Sequence, residues 1–376
     1  MVEIREVRTK RDIKKYINFP DRLYKGVPYY VPELKSEEYK MYFPETNGAF
    51  EYCDARFFLA YRNGEIVGRI GAIVNRKANE LWNQKQVRIT RVDFIDDMEV
   101  SGALFGAVES WAKELGLEQA HGPLGFTDLD KEGLLVEGFD RMGSTVTIYN
   151  HPYYPKHFEA HGYVKDIDWV EFRIHVPGSG DERVARVSRL AEKVMQRSHV
   201  RFFNLKRMKD VKPIVRQVFE LLSECYKDLY GVVPFTERIA NEYTNRFLPL
   251  LNPEFAKFIL DENDKLVAFG IAAPSLAEAV KKSRGYMLPF GWAHLIHALR
   301  RPKELELYLV AVHPEYQKSG LAALLLNEIT ASAVKRGITA AESTLELETN
   351  QRVQDLWKSY DAEQHKRRRC YKKDLV

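Results

Sequence analysis

The sequence predicts an α/β (α+β) protein built from two similar domains in tandem. The first observation is a pair of β-hairpins about 200 residues apart, 56–61 with 66–74 and 255–260 with 266–272. The first hairpin turns at Asn63-Gly64, which is the strongest short-range hairpin signal. A further strand and an amphipathic helix follow each hairpin. One such plan repeated once indicates a duplicated domain rather than a repeat array.

The helices that follow the two hairpins support the duplication. Apolar residues recur at helical spacing over 101–115 and over 321–335. Glycine follows the last periodic residue in both cases, at Gly116 and Gly337, where a helix ordinarily ends. The two helices are therefore predicted to occupy equivalent places in the two domains.

The predicted break between the domains lies at Pro177-Gly178-Ser179-Gly180, because proline and two glycines punctuate the chain there. A strand with alternating character, 169–176, precedes the break, and a helical pattern over about 183–198 follows it. We predict one domain over 1–176, a linker and helix over 177–199, and a second domain over 200–376.

Composition excludes several classes of protein. The 57 Lys and Arg residues nearly balance the 53 Asp and Glu residues, so bulk charge does not direct the chain to a polyanion and no nucleic-acid partner is expected. No apolar stretch reaches the length of a membrane span. The three cysteines are too few for a disulfide framework, which favours a reducing cytoplasm. We find no metal-binding motif and expect no metal.

One segment carries the signs of an anion-binding site. The hydrophobic strand 304–312 is ended by Pro314, and a short turn, 317–320, leads into the helix that begins at Leu321. A helix N-terminus presents unpaired N–H groups and the positive end of its dipole, and small residues there let a phosphate approach. Gly320 and Ala322 are small. An ordinary strand–turn–helix would carry the same glycine.

This segment resembles the acyl-CoA signature of the Gcn5-related N-acetyltransferases (GNAT). Residues 312–322 fit V-x-P-x-x-(Q/R)-x-x-G-x-(G/A) between a hydrophobic strand and an amphipathic helix. The resemblance implies a mixed, mostly antiparallel central sheet flanked by helices in each domain. It also implies that the loop holds the CoA pyrophosphate and that the strand backbone pairs with pantetheine. The implied pyrophosphate contacts are Gln317, Lys318, Ser319, Gly320, Leu321 and Ala322, and the implied pantetheine contacts are Val310, Ala311 and Val312.

A second family pattern, N-x-x-A-x-x-L-Y, is matched in part downstream. Asn350 and Leu356 agree with it, whereas Trp357 stands at the position of the tyrosine that serves as an acid in many members. The resemblance implies that Asn350 lies near the pantetheine arm. An indole N–H is no useful proton donor at neutral pH. Tyr360, one turn further along, is the substitute acid we predict, the alternative being a packing aromatic.

For a general base we nominate Glu306. A free alkylamine has a pKa of about 10.4, so a base within reach of the amine assists its attack on a thioester. Glu306 lies on the strand that precedes the loop, and its register matches the glutamate base of the histone-type members of the family. The alternative is a glutamate on a solvated strand face.

The first domain departs from the pattern. Where the loop should be, Asp96, Asp97 and Glu99 crowd the predicted helix start. Carboxylates there cap the helix and repel a pyrophosphate. We therefore predict a degenerate N-terminal copy without an intact acyl-CoA loop.

The resemblance implies an N-acetyltransferase that uses acetyl-CoA, or another acyl-CoA, and a small-molecule or peptide amine that attacks the thioester directly. Two alternatives stay open: a non-catalytic acyl-CoA sensor or scaffold, which Trp357 favours, and a Fem-type aminoacyl transferase, which the loop disfavours. The insertion 275–302 is a lid, a homodimer contact or a basic membrane-surface helix.

Overall fold

The computed structural model describes residues 1–178 and 194–375. Most of the helix predicted over 183–198 lies outside the described residues. The chain divides into two compact units. Unit 1 comprises Met1–Val170, Ala277–His294 and His365–Val376, and unit 2 comprises Glu171–Leu276 and Leu295–Gln364.

The strands of unit 1 lie in the order β1-β2-β3-β4-β5-β14, and a further strand, β6, pairs with β14. Pairing is antiparallel except between β4 and β5, which are parallel. Its strands are β1 Glu3–Glu6, β2 Cys53–Arg62, β3 Glu65–Asn75, β4 Gln86–Phe94, β5 Gln119–Gly122, β6 Leu134–Glu137 and, within β14, the part of Asp361–Asp374 from His365 onwards. Its helices are α1 Lys10–Leu23, α2 Lys35–Lys40, α3 Arg76–Leu81, α4 Met98–Glu114 and α5 Tyr154–Ala160.

Unit 2 repeats this plan with the strand order β7-β12-β11-β10-β9-β8, and β13 pairs with β7. Only β11 and β12 are parallel among the pairs for which a register is given. Its strands are β8 Arg201–Phe202, β9 Ala256–Leu260, β10 Leu266–Pro274, β11 Glu304–Val312, β12 Ala340–Ser343, β13 Glu346–Leu347 and, within β7 Val164–His175, the part from Glu171 onwards. Its helices are α6 Val215–Tyr226, α7 Glu237–Phe247, α10 Leu321–Lys335 and α11 Gln351–Trp357. The insertion contains α8 Ala277–Ser283, which belongs to unit 1, and α9 Gly291–Arg300, whose first four residues also belong to unit 1.

The structure confirms the predicted fold class, a mixed and mostly antiparallel sheet flanked by helices in a tandem arrangement. Both hairpins form, and Asn63 and Gly64 turn the first one with positive φ angles of 53° and 82°. Helix α10 has the predicted bounds, whereas α4 begins at Met98, three residues early, because Asp97 caps it. Polar and apolar residues alternate over 342–348 as they do in a single strand, but β12 ends at Ser343 and β13 begins at Glu346.

Each unit takes a strand from the opposite half of the sequence. In unit 2, Arg173, Ile174 and His175 pair with β12. In unit 1, the end of the chain, from Tyr371 to Asp374, pairs with β5. The tail is thus a strand, and it completes the first compact unit. The domain bounds 1–176 and 200–376 stay a prediction.

A buried ion pair anchors the core of unit 1. Arg69 on β3 and Asp93 on β4 are only 6% and 7% exposed, and Arg69 Nε lies 2.7 Å from Asp93 Oδ2. The Tyr24 hydroxyl donates to the other Asp93 oxygen at 2.6 Å, and Arg69 also donates to the Tyr16 carbonyl oxygen at 3.0 Å. These hydrogen bonds offset the loss of hydration that burial imposes on both charges.

Replacing Arg69 with alanine is expected to destabilise the fold by about 3–5 kcal/mol, because Asp93 would remain as a buried charge without its partner. Urea unfolding followed by circular dichroism measures the change. Arg5→Ala is the matched control, since Arg5 pairs with Glu3 in solvent and its loss is expected to leave the unfolding midpoint in place. Equal midpoints for the Arg69→Ala variant and the unmodified chain would contradict the assignment.

Candidate functional site

The site is built around a strand that loses one neighbour halfway along. Strand β11 pairs with β12 only from Glu304 to Leu307, opposite Ala340 to Ser343. Beyond that point β12 ends, and the Thr344 hydroxyl donates to the carbonyl oxygens of Leu307 and Tyr308 at 3.0 and 3.1 Å. The remainder of β11, as far as Val312, therefore keeps β10 on one side and leaves its other edge outside the ladder.

A β-bulge at Tyr308 determines which side chains of β11 face α10 before and after it. On β10, Ile271 and Ala272 are consecutive, but their partners are Leu309 and Leu307, so Tyr308 is the extra residue. Before the bulge, Leu305 and Leu307 pack with residues of α10. After it, Val310 and Val312 pack against the start of α10. The bulge thus inverts which alternate residues face α10.

Backbone alternation shows which groups face the open edge. The His313 N–H donates to the Val267 carbonyl oxygen at 2.8 Å, so His313, Ala311 and Leu309 point their backbone groups toward β10. Those of Val310 and Val312 point the other way. Of the three predicted pantetheine contacts, Val310 and Val312 face the open edge, whereas the backbone of Ala311 faces β10.

Two side chains of α6 already touch this edge. The Tyr226 hydroxyl donates to the Val310 carbonyl oxygen at 3.1 Å, and the Cys225 thiol lies 3.3 Å from that of Val312. Burial raises the pKa of the Cys225 thiol to about 11, so it is held as a neutral donor. Helix α6 therefore borders the gap that the shortened β12 leaves.

The predicted loop lies directly beyond the open edge. A 3₁₀ turn, Pro314–Tyr316, leads through Gln317 and Lys318 to Gly320, which immediately precedes α10. Gly320 has a φ of +88°, a conformation that glycine adopts without steric cost. No side chain caps the helix, and its first intrahelical bond is Leu324 N–H to Gly320. The N–H groups of residues 321–323 therefore precede the hydrogen-bonded ladder.

The loop is held open to solvent by contacts at its two ends. The Ser319 N–H and hydroxyl both donate to the Tyr316 carbonyl oxygen, at 3.0 and 2.5 Å. At the other end, Arg352 Nη1 of α11 donates to Gln317 Oε1 at 2.7 Å. Gln317, Lys318 and Gly320 are all exposed. The loop thus combines the positive end of a helix with the cationic side chains of Lys318 and Arg352.

Asn350 lies at the base of the helix that supplies Arg352. Its N–H donates to the Leu347 carbonyl oxygen at 2.8 Å, and it occupies the N-cap position of α11 without a side-chain capping bond. The Arg352–Gln317 hydrogen bond links this helix to the loop. Sequence reasoning missed Arg352, although its place two residues after Asn350, in the first turn of a short helix, was a usable signal.

Glu306 is buried on the face of β11 that points away from α10. It is 4% exposed, and its Oε1 accepts a hydrogen bond from the Ser275 hydroxyl at 2.7 Å. The solvated strand face considered as the alternative is therefore wrong. Its backbone lies two residues before the bulge, where the parallel pairing with β12 is about to end.

Tyr360 occupies the opposite face of the sheet from Glu306. It is half-buried beside Trp357, with their ring centroids 6.1 Å apart, and lines the same pocket as Thr330 of α10. Burial raises the pKa of its phenol. The surrounding apolar pocket is lined by Leu305, Leu307, Leu326, Ile329, Ala341 and Trp357. The two predicted catalytic side chains, Glu306 and Tyr360, therefore lie on opposite faces of the sheet.

A buried carboxyl that sequence reasoning missed lies against Trp357. Trp357 Nε1 donates to Glu346 Oε1 at 2.8 Å, and Glu346 is 8% exposed. Its second oxygen is buried without a hydrogen-bond partner among residues 1–178 and 194–375. Burial raises the pKa of Glu346 from 4.5 to about 7, and the charge of Glu171 adds to the shift. Nothing in the local sequence distinguishes this glutamate from the neighbouring ones.

Comparison with known proteins places this geometry in a family. Residues 215–361 match the family model described as the acetyltransferase (GNAT) family. Over 381 aligned residues the chain is 30% identical to Protein YghO of Escherichia coli, spanning 99% of this chain and 95% of that protein. The chain belongs to the GNAT family. It is also 26% identical to a bacterial ceramide synthase of Caulobacter vibrioides, over 98% of this chain and 96% of the relative.

Solved GNAT structures share the tandem fold. A tandem GNAT protein from the clavulanic acid biosynthesis pathway superimposes with a TM-score of 0.60 at 8% identity, covering 100% of this chain and 99% of that one. A GCN5-related N-acetyltransferase from Sphaerobacter thermophilus gives 0.52 at 11% identity, covering 100% and 96%. At these identities the likeness concerns the fold alone.

Unit 1 has a similar bulged strand, β4, but the N-terminus of the helix that follows it is capped by a side chain. An extra residue near Arg91 interrupts the register of β4 with β3. Asp97 caps α4 by accepting from the N–H groups of Glu99 and Val100 at 3.0 and 3.2 Å, and Arg62 pairs with its carboxylate at 2.7 Å. Arg62 is the largest cause that lowers the pKa of Asp97 to about 2. The positive end of this helix is thus occupied by a carboxylate.

Tyrosine side chains fill the edge of β4 that corresponds to the open edge of β11. The Phe94 N–H donates to the Tyr154 hydroxyl at 2.9 Å, and the Tyr153 hydroxyl donates to the Phe94 carbonyl oxygen at 2.5 Å. Tyr154 stacks on the Phe94 ring at 4.3 Å. In unit 1, side chains of its own α5 region therefore take the backbone hydrogen bonds of this strand end.

One group of side chains in the described part of the chain has the spacing of metal ligands. Single donor atoms of His121, Asp166 and Cys370 in unit 1 lie within 4.8 Å of one another. The Lys372 ammonium, 2.9 Å from Asp166, already neutralises that carboxylate, and burial beside Arg88 holds the pKa of His121 well below its usual value. These cations oppose a bound metal ion, and the expectation of no metal stays a prediction.

Glu346→Gln is expected to flatten the dependence of stability on pH. The folded chain binds the Glu346 proton more tightly than the unfolded chain, so this stabilisation is complete below about pH 4.5 and is lost as the pH rises through about 7. Glutamine keeps an acceptor for Trp357 but does not ionise. Between pH 4.5 and pH 8 the variant should therefore lose about 3 kcal/mol less of its unfolding free energy than the unmodified chain does. Urea unfolding at both pH values measures the difference.

Glu363→Gln, at an exposed position in the same unit, is the matched control and should follow the unmodified chain. If Glu346→Gln also loses stability in parallel with the unmodified chain between pH 4.5 and 8, the buried carboxyl does not titrate as described.

Proposed function

We propose that unit 2 binds an acyl-CoA and that the chain transfers the acyl group to a primary amine by direct attack on the thioester. The observation that carries this proposal is the continuity of an open strand edge with an uncapped helix start, from Val310 to Ala322. The edge offers backbone groups for the pantetheine arm. The loop offers N–H groups and two cationic side chains, Lys318 and Arg352, for the phosphates.

In this proposal Glu306 is the general base. A buried carboxylate whose Oε1 is oriented by Ser275 accepts the ammonium proton, directly or through one water. The Val310 N–H is the first backbone donor beyond the bulge that faces the open edge, which suits it to stabilise the oxyanion. The leaving thiolate has a pKa near that of cysteine, about 8.5, and needs little acid assistance.

Proton return to the thiolate remains assigned to Tyr360. The Trp357 indole, at the usual tyrosine position, is committed to Glu346. Tyr360 and Trp357 line the same apolar pocket on the α10 face of the sheet, opposite Glu306, so Tyr360 is a poor acid for the reaction centre. This tolerance of a poor acid is consistent with the low basicity of a thiolate.

We propose acetyl-CoA or a longer acyl-CoA as donor and a small-molecule or peptide amine as acceptor. Ceramide is an amide, so the name of the Caulobacter relative supports amide formation from an acyl donor and an amine. It also makes a long-chain acyl-CoA and a long-chain amine necessary members of the substrate panel. The three free cysteines fit the reducing cytoplasm as the place of reaction.

Unit 1 is proposed not to bind acyl-CoA. The Asp97 carboxylate would repel a pyrophosphate at the start of α4, and Tyr153 and Tyr154 occupy the strand edge that pantetheine would need. A single acyl-CoA per chain is therefore expected in calorimetric titration.

Gly320→Glu is expected to abolish acyl-CoA binding, because it places a carboxylate at the helix start that receives the pyrophosphate. Titration calorimetry with acetyl-CoA and with palmitoyl-CoA measures the affinity. Gly337→Glu is a matched control: this glycine, at the other end of α10, has a φ of +70° and open space around it, so the strain and the charge are alike. Equal loss of binding in both variants would count against the loop as the site.

Glu306→Gln is expected to lower turnover by about 10²–10⁴-fold with little change in acyl-CoA affinity, since only the proton acceptor is removed. Release of the CoA thiol with a panel of amines, short and long, measures turnover. Glu304→Gln is the control, because this residue lies on the same face of β11 with its carboxylate already paired with Arg173. Unchanged turnover in Glu306→Gln would exclude it as the base.

The alternative function is a non-catalytic acyl-CoA sensor, and the specific observation that favours it is Trp357 in place of the tyrosine acid. If the unmodified chain binds acyl-CoA and releases no thiol with any amine of the panel, the transferase is replaced by this sensor.

A further inference from the structure

Apolar side chains are exposed in one short segment of the insertion. Eleven large apolar side chains are exposed among the described residues, and six of them fall between residues 286 and 296. Leu288 and Phe290 are 78% and 70% exposed. A cluster of this density on the surface of a single chain marks an interaction site. The six are Tyr286, Met287, Leu288, Phe290, Trp292 and Ile296.

The exposed apolar side chains of α9 are not the ones that pack this helix against the rest of the chain. Gly291 and Leu295, four residues apart, are buried and hold the helix in place. Trp292 and Ile296, also four residues apart, form the adjacent stripe and are 49% and 40% exposed. Helix α9 thus carries two adjacent stripes, and only the stripe of Gly291 and Leu295 is buried.

The same segment is strongly basic. Residues 279–303 contain no Asp or Glu and six Lys and Arg residues, although the two kinds nearly balance over the whole chain, 53 against 57. Lys282, Arg284 and Arg300 are among the exposed ones. The six are Lys281, Lys282, Arg284, Arg300, Arg301 and Lys303.

We propose that this interfacial segment, residues 281–303, docks onto a bilayer surface that carries anionic phospholipid headgroups. Its apolar side chains would enter the boundary between headgroups and acyl chains, while its lysines and arginines meet the phosphates. Tyr286 and Trp292 are residue types that favour this boundary, because each has an apolar ring with a polar atom.

Charge distinguishes a bilayer from a second copy of the chain as the partner. A symmetric contact through this segment would bring two cationic sets together, with Lys282, Arg284, Arg300 and Arg301 in each, and the segment itself contains no Asp or Glu. A nucleic acid would satisfy the cations but would leave Leu288 and Ile296 without an apolar environment. Anionic phospholipid satisfies both the cations and the apolar side chains.

The segment lies on a membrane rather than across it. Helix α9 has 10 residues and a length of about 15 Å, half the thickness of a hydrocarbon core. None of the described helices is both long enough and apolar enough to span a bilayer. Docking does not depend on the acyl-transfer proposal, because it concerns residues outside the acyl-CoA site.

Flotation of the full chain with phosphatidylglycerol–phosphatidylcholine vesicles tests the proposal. The unmodified chain is expected to float with these vesicles, to be released by high salt and to bind pure phosphatidylcholine at least tenfold more weakly. A triple variant, Leu288→Ser with Phe290→Ser and Trp292→Ser, should bind the mixed vesicles at least tenfold more weakly. The matched control is Leu81→Ser with Leu115→Ser, two apolar residues that are 56% and 50% exposed elsewhere in unit 1.

Charge reversal provides the second arm. Lys282→Glu with Arg284→Glu should lower binding to the mixed vesicles at least tenfold, whereas Lys10→Glu with Lys25→Glu, exposed in the same unit, should not. Circular dichroism and thermal unfolding confirm the fold of each variant. Failure of the folded, unmodified chain to float overturns the proposal, as does equal flotation of the triple variant. Conversion of a dimer to a monomer by the triple variant would make the segment a contact between copies instead.

Discussion

The constraint on which the site depends is the cost of leaving backbone hydrogen-bonding groups of a strand without partners. Strand β11 loses β12 at Leu307, yet it continues for five residues to Val312 in a partly buried position. Buried N–H and C=O groups are rarely left unpaired, so such an edge requires side chains, water or a ligand to complete it. In unit 2, Tyr226 and Cys225 take two carbonyl oxygens. The N–H groups of Val310 and Val312 on the same edge are the ones that a ligand with carbonyl oxygens would satisfy.

Unit 1 meets the same constraint in a different way, and the comparison explains why two units of one plan differ in chemistry. Its bulged strand ends at Phe94, where the Tyr154 hydroxyl accepts from the N–H and the Tyr153 hydroxyl donates to the carbonyl oxygen. Its helix start is neutralised by Asp97, which Arg62 holds in place. Each of these contacts stabilises the fold locally, and each occupies a position that an anionic ligand would otherwise use. An anionic ligand and the protein's own side chains therefore compete for the same backbone groups.

The sequence predicted what depends on neighbouring residues. The Asn63-Gly64 turn, helix 321–335 and the Gly320 loop each rest on a local rule about φ angles, helical period or helix ends, and each is present. The pairing of β7 with β12 and of β14 with β5 joins segments that are distant in the sequence, and no local pattern specifies it. The same reason hides the Arg352–Gln317 and Trp357–Glu346 hydrogen bonds. Trp357 was identified as a departure from the family pattern, but its partner is set by the fold.

The hydrogen-bonded pair of Trp357 and Glu346 changes which group titrates in this part of the protein. A tyrosine hydroxyl can donate and accept, whereas an indole only donates, so tryptophan at this position requires an acceptor nearby. Glu346 supplies that acceptor and is itself desolvated by the same packing. With an indole at residue 357, the titratable partner of this hydrogen bond is the Glu346 carboxyl on β13, which changes charge near neutral pH. Of the two titratable groups beside Trp357, the carboxyl of Glu346 therefore ionises first as the pH rises, whereas the Tyr360 phenol, whose pKa burial raises, stays protonated.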